Sequence, residues 1–226
     1  MNESAVEIAG LRTLVVAPDD PVSLSVVVLH GYAMGPEDLA PFARSMGVRA
    51  RFVLPEAPGT ASPSGRGWWD VDHEARARAL ESGPRDLHLA HPAGAHSARS
   101  LLVSFLDEIQ RRWGEHPVAL VGFSQGGMLA CDTVLRESPR LAALALLSSS
   151  CMAADEWLPL AHRVRGLPVF VSHGRMDPDL AFAAGERLRD MLIEAGADVS
   201  WVPFEEAHEI PPVVWRRLRA FLSGVR

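Results

Sequence analysis

Gly122-Phe123-Ser124-Gln125-Gly126 sets a serine two residues from a glycine on either side. A branched apolar run, Val118 to Val121, precedes it, and a helix-like pattern, Met128 to Arg136, follows. A serine at such a strand-to-helix turn can form a nucleophile elbow. The turn strains the serine backbone, small neighbours let the chain pass, and the hydroxyl stands above the carboxyl end of the strand. The helix that starts there aims its first amides at the site, so the Gln125 N–H is placed to bind a developing oxyanion. The pentapeptide alone also fits a plain glycine-rich or phosphate-binding turn, so its partners must decide.

A serine hydroxyl is a weak nucleophile at neutral pH. It needs a base to take its proton and an acid to orient that base. In enzymes built on such an elbow the chain order is serine, acid, histidine. Val171-Ser172-His173-Gly174-Arg175-Met176-Asp177-Pro178 leaves the end of an apolar strand and offers Asp177 in a turn stiffened by Pro178. Asp179 is a rival acid, with an alternative role as N-cap of the next helix. Phe204-Glu205-Glu206-Ala207-His208-Glu209 follows the last strand. Of nine histidines, His208 is the one both downstream of Asp177 and on a strand-end loop. Glu205, Glu206 and Glu209 read as solvated acids, one of which could raise the imidazole pKa. A second oxyanion donor is expected from His30-Gly31-Tyr32, where Gly31 lets the chain turn sharply and the Tyr32 amide faces the site. His30 reads as a structural brace.

These loops require a scaffold that collects strand ends. Strand-like and helix-like segments alternate: strands near Leu24 to Leu29, Arg51 to Leu54, Val118 to Val121, Leu141 to Leu147, Leu167 to Val171 and Val199 to Val202, with helices near Pro36 to Met46, Gly94 to Trp113, Leu180 to Ala195 and Pro211 to Leu222. Such alternation predicts an α/β fold with a mostly parallel sheet and helices on both faces. Leu11 to Val16 and Leu24 to Leu29 are expected to pair antiparallel at an edge. Glu56 to Pro92 breaks the rhythm: it is rich in Gly and Pro, carries Trp68-Trp69, and holds one helix near Val71 to Leu80. Irregular segments this long are usually functional or disordered, and adjacent tryptophans favour order.

Composition limits the alternatives. The 226 residues are 48% hydrophobic, enough for one domain over 1–226 without disulfide staples. Cys131 and Cys151 sit in apolar segments and read as inert buried thiols. The net charge is −6 with no basic cluster, which argues against nucleic acid or an anionic membrane as partner. Every basic residue is arginine, so no lysine-based nucleophile or base is available. Met1 to Gly10 lacks the features of a signal peptide, and no apolar run approaches the roughly 20 residues of a membrane span. A cytoplasmic protein, monomer or homodimer, is expected. His88, His91 and His96 form H-x2-H-x4-H, which reads as exposed polar residues rather than a metal site. No metal or organic cofactor is expected.

Five motifs, LHGYAMGPEDL, WWD at Trp68 to Asp70, GFSQGGMLA, HGRMDP and AHEIPP, together resemble the phospholipase/carboxylesterase family, which includes the acyl-protein thioesterases. The resemblance runs from about Val26 to Leu222. It implies a compact α/β-hydrolase without a large cap domain, using Ser124, Asp177 and His208 on carboxylic or thio esters, with Tyr32 and Gln125 amides as oxyanion donors. It also implies that the loop bearing Trp68 and Trp69 lines an acyl groove. Met152, Trp157 and Leu158 are further candidates for that apolar site, and each is equally a candidate core residue. The chain departs from the family pattern at Ala33, at Glu206-Ala207 and at Ser148-Ser149-Ser150, which bears on substrate preference more than on mechanism. A short- to medium-chain ester is the expected substrate, with an acyl-protein or acyl-CoA thioesterase or lysophospholipase as the alternative. A non-catalytic binding protein on the same fold is the alternative of another class.

Overall fold

The computed structural model describes residues 1–61 and 64–225. Ser62 and Pro63, within the Glu56 to Pro92 segment, and Arg226 lie outside the described residues. The chain opens with β1 (Asn2–Ile8) and β2 (Leu11–Ala17), a hairpin turned by Ala9 and Gly10, both at positive φ. Then come β3 (Leu24–Leu29), α1 (Pro36–Ser45), β4 (Ala50–Pro55), the two-residue strands β5 (Gly59–Thr60) and β6 (Arg66–Gly67), α2 (His73–Leu80) and α3 (Ala95–Trp113). The second half runs β7 (Val118–Phe123), α4 (Gln125–Glu137), β8 (Ala143–Leu147), α5 (Ala154–Trp157), a 3-10 helix (Leu158–Val164), β9 (Pro168–Gly174), α6 (Phe182–Glu194), β10 (Asp198–Phe204) and α7 (Pro212–Ser223).

Eight strands form one sheet in the order β1-β2-β4-β3-β7-β8-β9-β10, parallel from β4 through to β10. Side chains alternate between its faces, as strand geometry requires. Val27, Leu29 and Leu120 face one side with Leu102, Phe105 and Ile109 of α3, Leu129 of α4 and Leu188 and Leu192 of α6. Val26, Ala119 and Val121 face the other with Leu39 and Ala43 of α1 and Val214, Leu218 and Leu222 of α7. Strands covered on both faces are therefore near-continuous apolar runs. The expected α/β-hydrolase architecture is the observed one.

The edge differs from expectation in two respects. β2 does not pair with β3; it runs antiparallel to β4, and the unanticipated β1 lies outside it. The reason is the crossover through α1, which brings β4 parallel alongside β3 and occupies that edge. Residues 2–8 are mostly exposed and lack the apolar run that marks the central strands. Among the described residues, no helix is long and apolar enough to cross a membrane.

Candidate active site

The carboxyl ends of β3, β7, β9 and β10 converge on one side of the sheet, where ligand-binding groups of open α/β sheets collect. β7 ends at Phe123 and α4 begins at Gln125, leaving Ser124 alone in the turn at φ 52° and ψ −117°. That left-handed conformation is costly for a residue with a Cβ and persists only where its surroundings fix it. Here the Ser124 N–H donates to the Leu147 carbonyl (2.8 Å), and the Ser124 carbonyl accepts from Gly127 N–H (3.0 Å), Met128 N–H (3.1 Å) and the Ser149 hydroxyl (3.1 Å). The flanking glycines are sterically required. A Cβ on Gly122 would stand 2.3 Å from the Gly126 carbonyl oxygen, and one on Gly126 would stand 2.5 Å from that of Leu29.

Asp177 and His208 meet this serine. His208 Nδ1 lies 2.6 Å from Asp177 Oδ2, and His208 Nε2 lies 2.9 Å from Ser124 Oγ. The network assigns the tautomer: Nδ1–H donates to the carboxylate, leaving Nε2 to accept the serine proton. Asp177 is buried, and its Oδ1 accepts the Asp179 and Leu180 amides at 2.9 Å each. Burial alone would raise the carboxyl pKa. The His208 hydrogen bond and charge, with the Leu180 and Asp179 amides, outweigh it and hold the group below its ordinary value. The two loops are laced together, since Arg175 N–H donates to the Phe204 carbonyl (2.7 Å) and Met176 N–H to that of Glu206 (3.3 Å). Glu205 is exposed and pairs with Arg175 at 3.1 Å.

His173 is fully buried, with Nε2 3.1 Å from the Leu180 carbonyl and 3.4 Å from Asp177 Oδ2. His30 is likewise buried. Its Nδ1 lies 2.8 Å from the Gly31 carbonyl, and its Nε2 accepts the Ala57 amide at 3.0 Å. Burial pushes both imidazoles below their ordinary pKa. The brace expected at His30 thus ties the β3 end to the start of the irregular segment. Among the described residues, neither the Tyr32 nor the Gln125 backbone N–H has a hydrogen-bond partner.

Ser124, His208, Tyr32 and Gln125 border one cavity of about 560 Å³. Met34, Trp69, Leu87, Phe123, Met128 and Leu180 supply apolar wall, and Arg76, Arg85, Asp179 and His73 supply polar wall. Of the residues expected to line an acyl groove, Trp69 does so. Trp68 is 4% exposed and does not border the cavity; its Nε1 donates to the His30 carbonyl at 2.9 Å. Met152 is 1% exposed and packs in the core beneath, where the chain after β8 turns inward; Met128 of α4 takes the lining position instead. Trp157 is fully buried with its Nε1 on Asp132, and Leu158 is exposed but away from the cavity. Asp179 is not a helix cap: Ala181 holds the N-cap of α6, and Asp179 instead pairs with Arg76 and Arg85.

Sequence reasoning missed the side chain of Gln125. Its Oε1 accepts the Trp68 amide and its Nε2 donates to the Trp69 carbonyl, both at 2.9 Å. The first residue of the elbow helix therefore pins the tryptophan loop by its backbone polar groups. No local signal marked it, because the burial of this glutamine is decided by packing; once inside, a polar side chain must find partners. The three histidines of H-x2-H-x4-H do not converge. His88 lies beside Asp86, His96 hydrogen-bonds Ser100, and His91 stands among exposed Asp155 and Glu156.

The phospholipase/carboxylesterase family profile matches residues 12–225. Acyl-protein thioesterase 1 of Cryptococcus neoformans is 27% identical over 204 residues, 82% of this chain and 79% of that one. Among solved structures, esterase PE8 superposes with a TM-score of 0.82 at 28% identity, over 96% of this chain and 99% of its own. A carboxylesterase from Mesorhizobium loti superposes with a TM-score of 0.79 at 17% identity, over 99% and 100%, which speaks to the fold alone. With strand ends, elbow and cavity arranged as described, the chain belongs to the phospholipase/carboxylesterase family of α/β-hydrolases and is a carboxylic ester hydrolase.

Proposed function

We propose that the enzyme cleaves esters of short to medium acyl chains by two-step acyl transfer on Ser124, acting in the cytoplasm as one domain. His208 Nε2 takes the Ser124 proton as Oγ attacks the ester carbonyl. The Tyr32 and Gln125 amides hold the oxyanion of the tetrahedral intermediate. Asp177 keeps His208 in the reactive tautomer and stabilises its cation. The imidazolium then protonates the leaving alcohol, and water, deprotonated by the same histidine, releases the acid and restores Ser124. Neither step calls for a metal or organic cofactor.

The observation that carries this reading is the unbroken relay from Asp177 through His208 to Ser124, at 2.6 and 2.9 Å, opening onto the cavity. The apolar wall of Trp69, Leu87, Phe123 and Met128 suits an acyl chain, and a volume of about 560 Å³ is in the range of a small-ligand pocket. Two unpaired cysteines suit a reducing compartment. Similarity to acyl-protein thioesterase 1 favours thioesters as a second substrate group on the same machinery.

The test is hydrolysis of p-nitrophenyl esters from acetyl to dodecanoyl, beside a panel of acyl thioesters, by the native protein and by Ser124→Ala. The expected result is turnover that peaks at short or medium chain and is lost in the variant. A fluorophosphonate should label Ser124. Full activity in Ser124→Ala would overturn the mechanism, and absence of both labelling and turnover would favour a binding protein on the hydrolase fold.

A further inference from the structure

We infer that Arg76 and Arg85 make one wall of the Ser124 cavity an anion-binding subsite, so that the preferred ester carries an anionic oxyacid group, carboxylate or phosphate. As a statement about substrate this rests on the esterase reading of Ser124; as a statement about binding it rests on the arginines alone.

Both arginines border the cavity, and both guanidinium groups pair with one carboxylate oxygen. Asp179 Oδ1 accepts from Arg76 Nε (3.1 Å) and Arg85 Nη2 (2.7 Å), and Arg76 Nη2 stands 3.0 Å from the same oxygen. Two cations thus share one anion. Neighbouring acids do not make up the difference: Asp86 is taken by Arg187 (3.1 Å) and the His88 amide (3.1 Å), Glu74 faces Arg78, and neither acid borders the cavity. The remaining titratable side chains on the wall are Tyr32, His73 and His208. The Arg85 side chain is only 16% exposed, and its buried Nε–H has no partner among the described residues.

An uncompensated charge beside apolar wall is costly unless something pairs with it. A strut between α2 and the Asp177 loop would need one arginine. The second leaves a guanidinium with unused donors, and that fork matches the two oxygens of a carboxylate or phosphate. The group is also preorganised. Arg85 N–H donates to the Asp179 carbonyl and the Arg85 carbonyl accepts from Ala181 N–H, both at 2.9 Å, fixing its backbone to the loop that carries Asp177. An ester held with its anionic end on this wall would present its carbonyl within the same cavity as Ser124.

Binding is measured calorimetrically on Ser124→Ala, which leaves the esters intact. Two pairs of probes place the charge on either side of the ester: monomethyl against dimethyl glutarate, and butyryl-glycerol phosphate against monobutyrin. At least one anionic probe should bind about tenfold or more tighter than its neutral counterpart, as a charge-assisted hydrogen bond provides. The preferred pair tells whether the group sits on the acyl or the alcohol side. The anionic-to-neutral ratio should fall toward one in Arg85→Gln and in Arg76→Gln, and added salt should weaken it. Asp179→Asn should raise the ratio, because it removes the competing carboxylate; damage to folding would not produce that increase. Equal binding of anionic and neutral probes in both pairs would overturn the inference. The p-nitrophenyl ester assay on the native protein judges the esterase reading separately, so the two can fail independently.

Discussion

At the residue scale, the site depends on charges that are kept or refused by burial. Asp177 is buried yet held ionised by His208 and two backbone amides. Asp177→Asn would reverse the hydrogen-bond pattern at Nδ1 and favour the wrong tautomer of His208. Turnover should fall by on the order of 10⁴ with little change in substrate affinity, measurable as kcat and KM on one ester. A loss confined to KM would contradict the role. His30 and His173 are refused charge, because burial lowers both from the ordinary value of 6.5. Below that value the unfolded chain takes up protons that the folded chain does not, so folding stability declines as pH falls. The slope approaches about 1.4 kcal/mol per pH unit for each histidine until its folded pKa is reached. Urea unfolding at pH 7.5 and 5.5 checks this. The difference should shrink in His30→Gln, and if it persists unchanged in both His30→Gln and His173→Gln, other groups are responsible.

At the element scale, α4 does more than present the candidate nucleophile. Its first residue reaches across to the tryptophan loop, and Trp68 in turn reaches the His30 carbonyl. The segment from 56 onward is therefore fixed along its described length: Ala57 to His30, Trp68 and Trp69 to Gln125, Arg85 to the Asp179 loop. Gln125→Leu keeps the backbone amide but strands a buried N–H and a buried carbonyl. Each unpaired group costs about 1–3 kcal/mol, so the melting temperature should drop and KM should rise more than kcat falls. Unchanged stability would show that the loop does not depend on this tie. The elbow itself was legible because its requirements are local: small residues at 122 and 126, a buried strand before and a helix after. The tie through Gln125 was not, because it joins positions 57 residues apart and leaves no periodic trace.

At the scale of the whole molecule, the sheet is sealed by helices on both faces, and both cysteines fall inside it. Burial raises the Cys151 thiol to about 12 and the Cys131 thiol well above its ordinary value. Thiolate is the reactive form, so neither should react with a disulfide reagent such as Ellman's in the native protein, and both should react in denaturant. Titration of a thiol under native conditions would mean that the core opens more readily than its packing implies. The same enclosure explains the misplaced groove residues. Met152 and Trp157 have the chemistry of an acyl pocket, but the path of the chain after β8 turns them into the core.

The sequence by itself determined the order of the central strands and the long helices between them, the elbow, and the identity of the acid and base candidates. These follow from hydrophobic periodicity and turn chemistry, which act over a few residues and so leave a local record. Tertiary structure alone decided that β4 stands between β2 and β3, that Asp177, His208 and Ser124 meet within hydrogen-bond distance, and that two arginines share Asp179. Each of these joins segments distant in the chain. The packing of the sheet and its crossovers fixes such contacts, and no single stretch of residues encodes them.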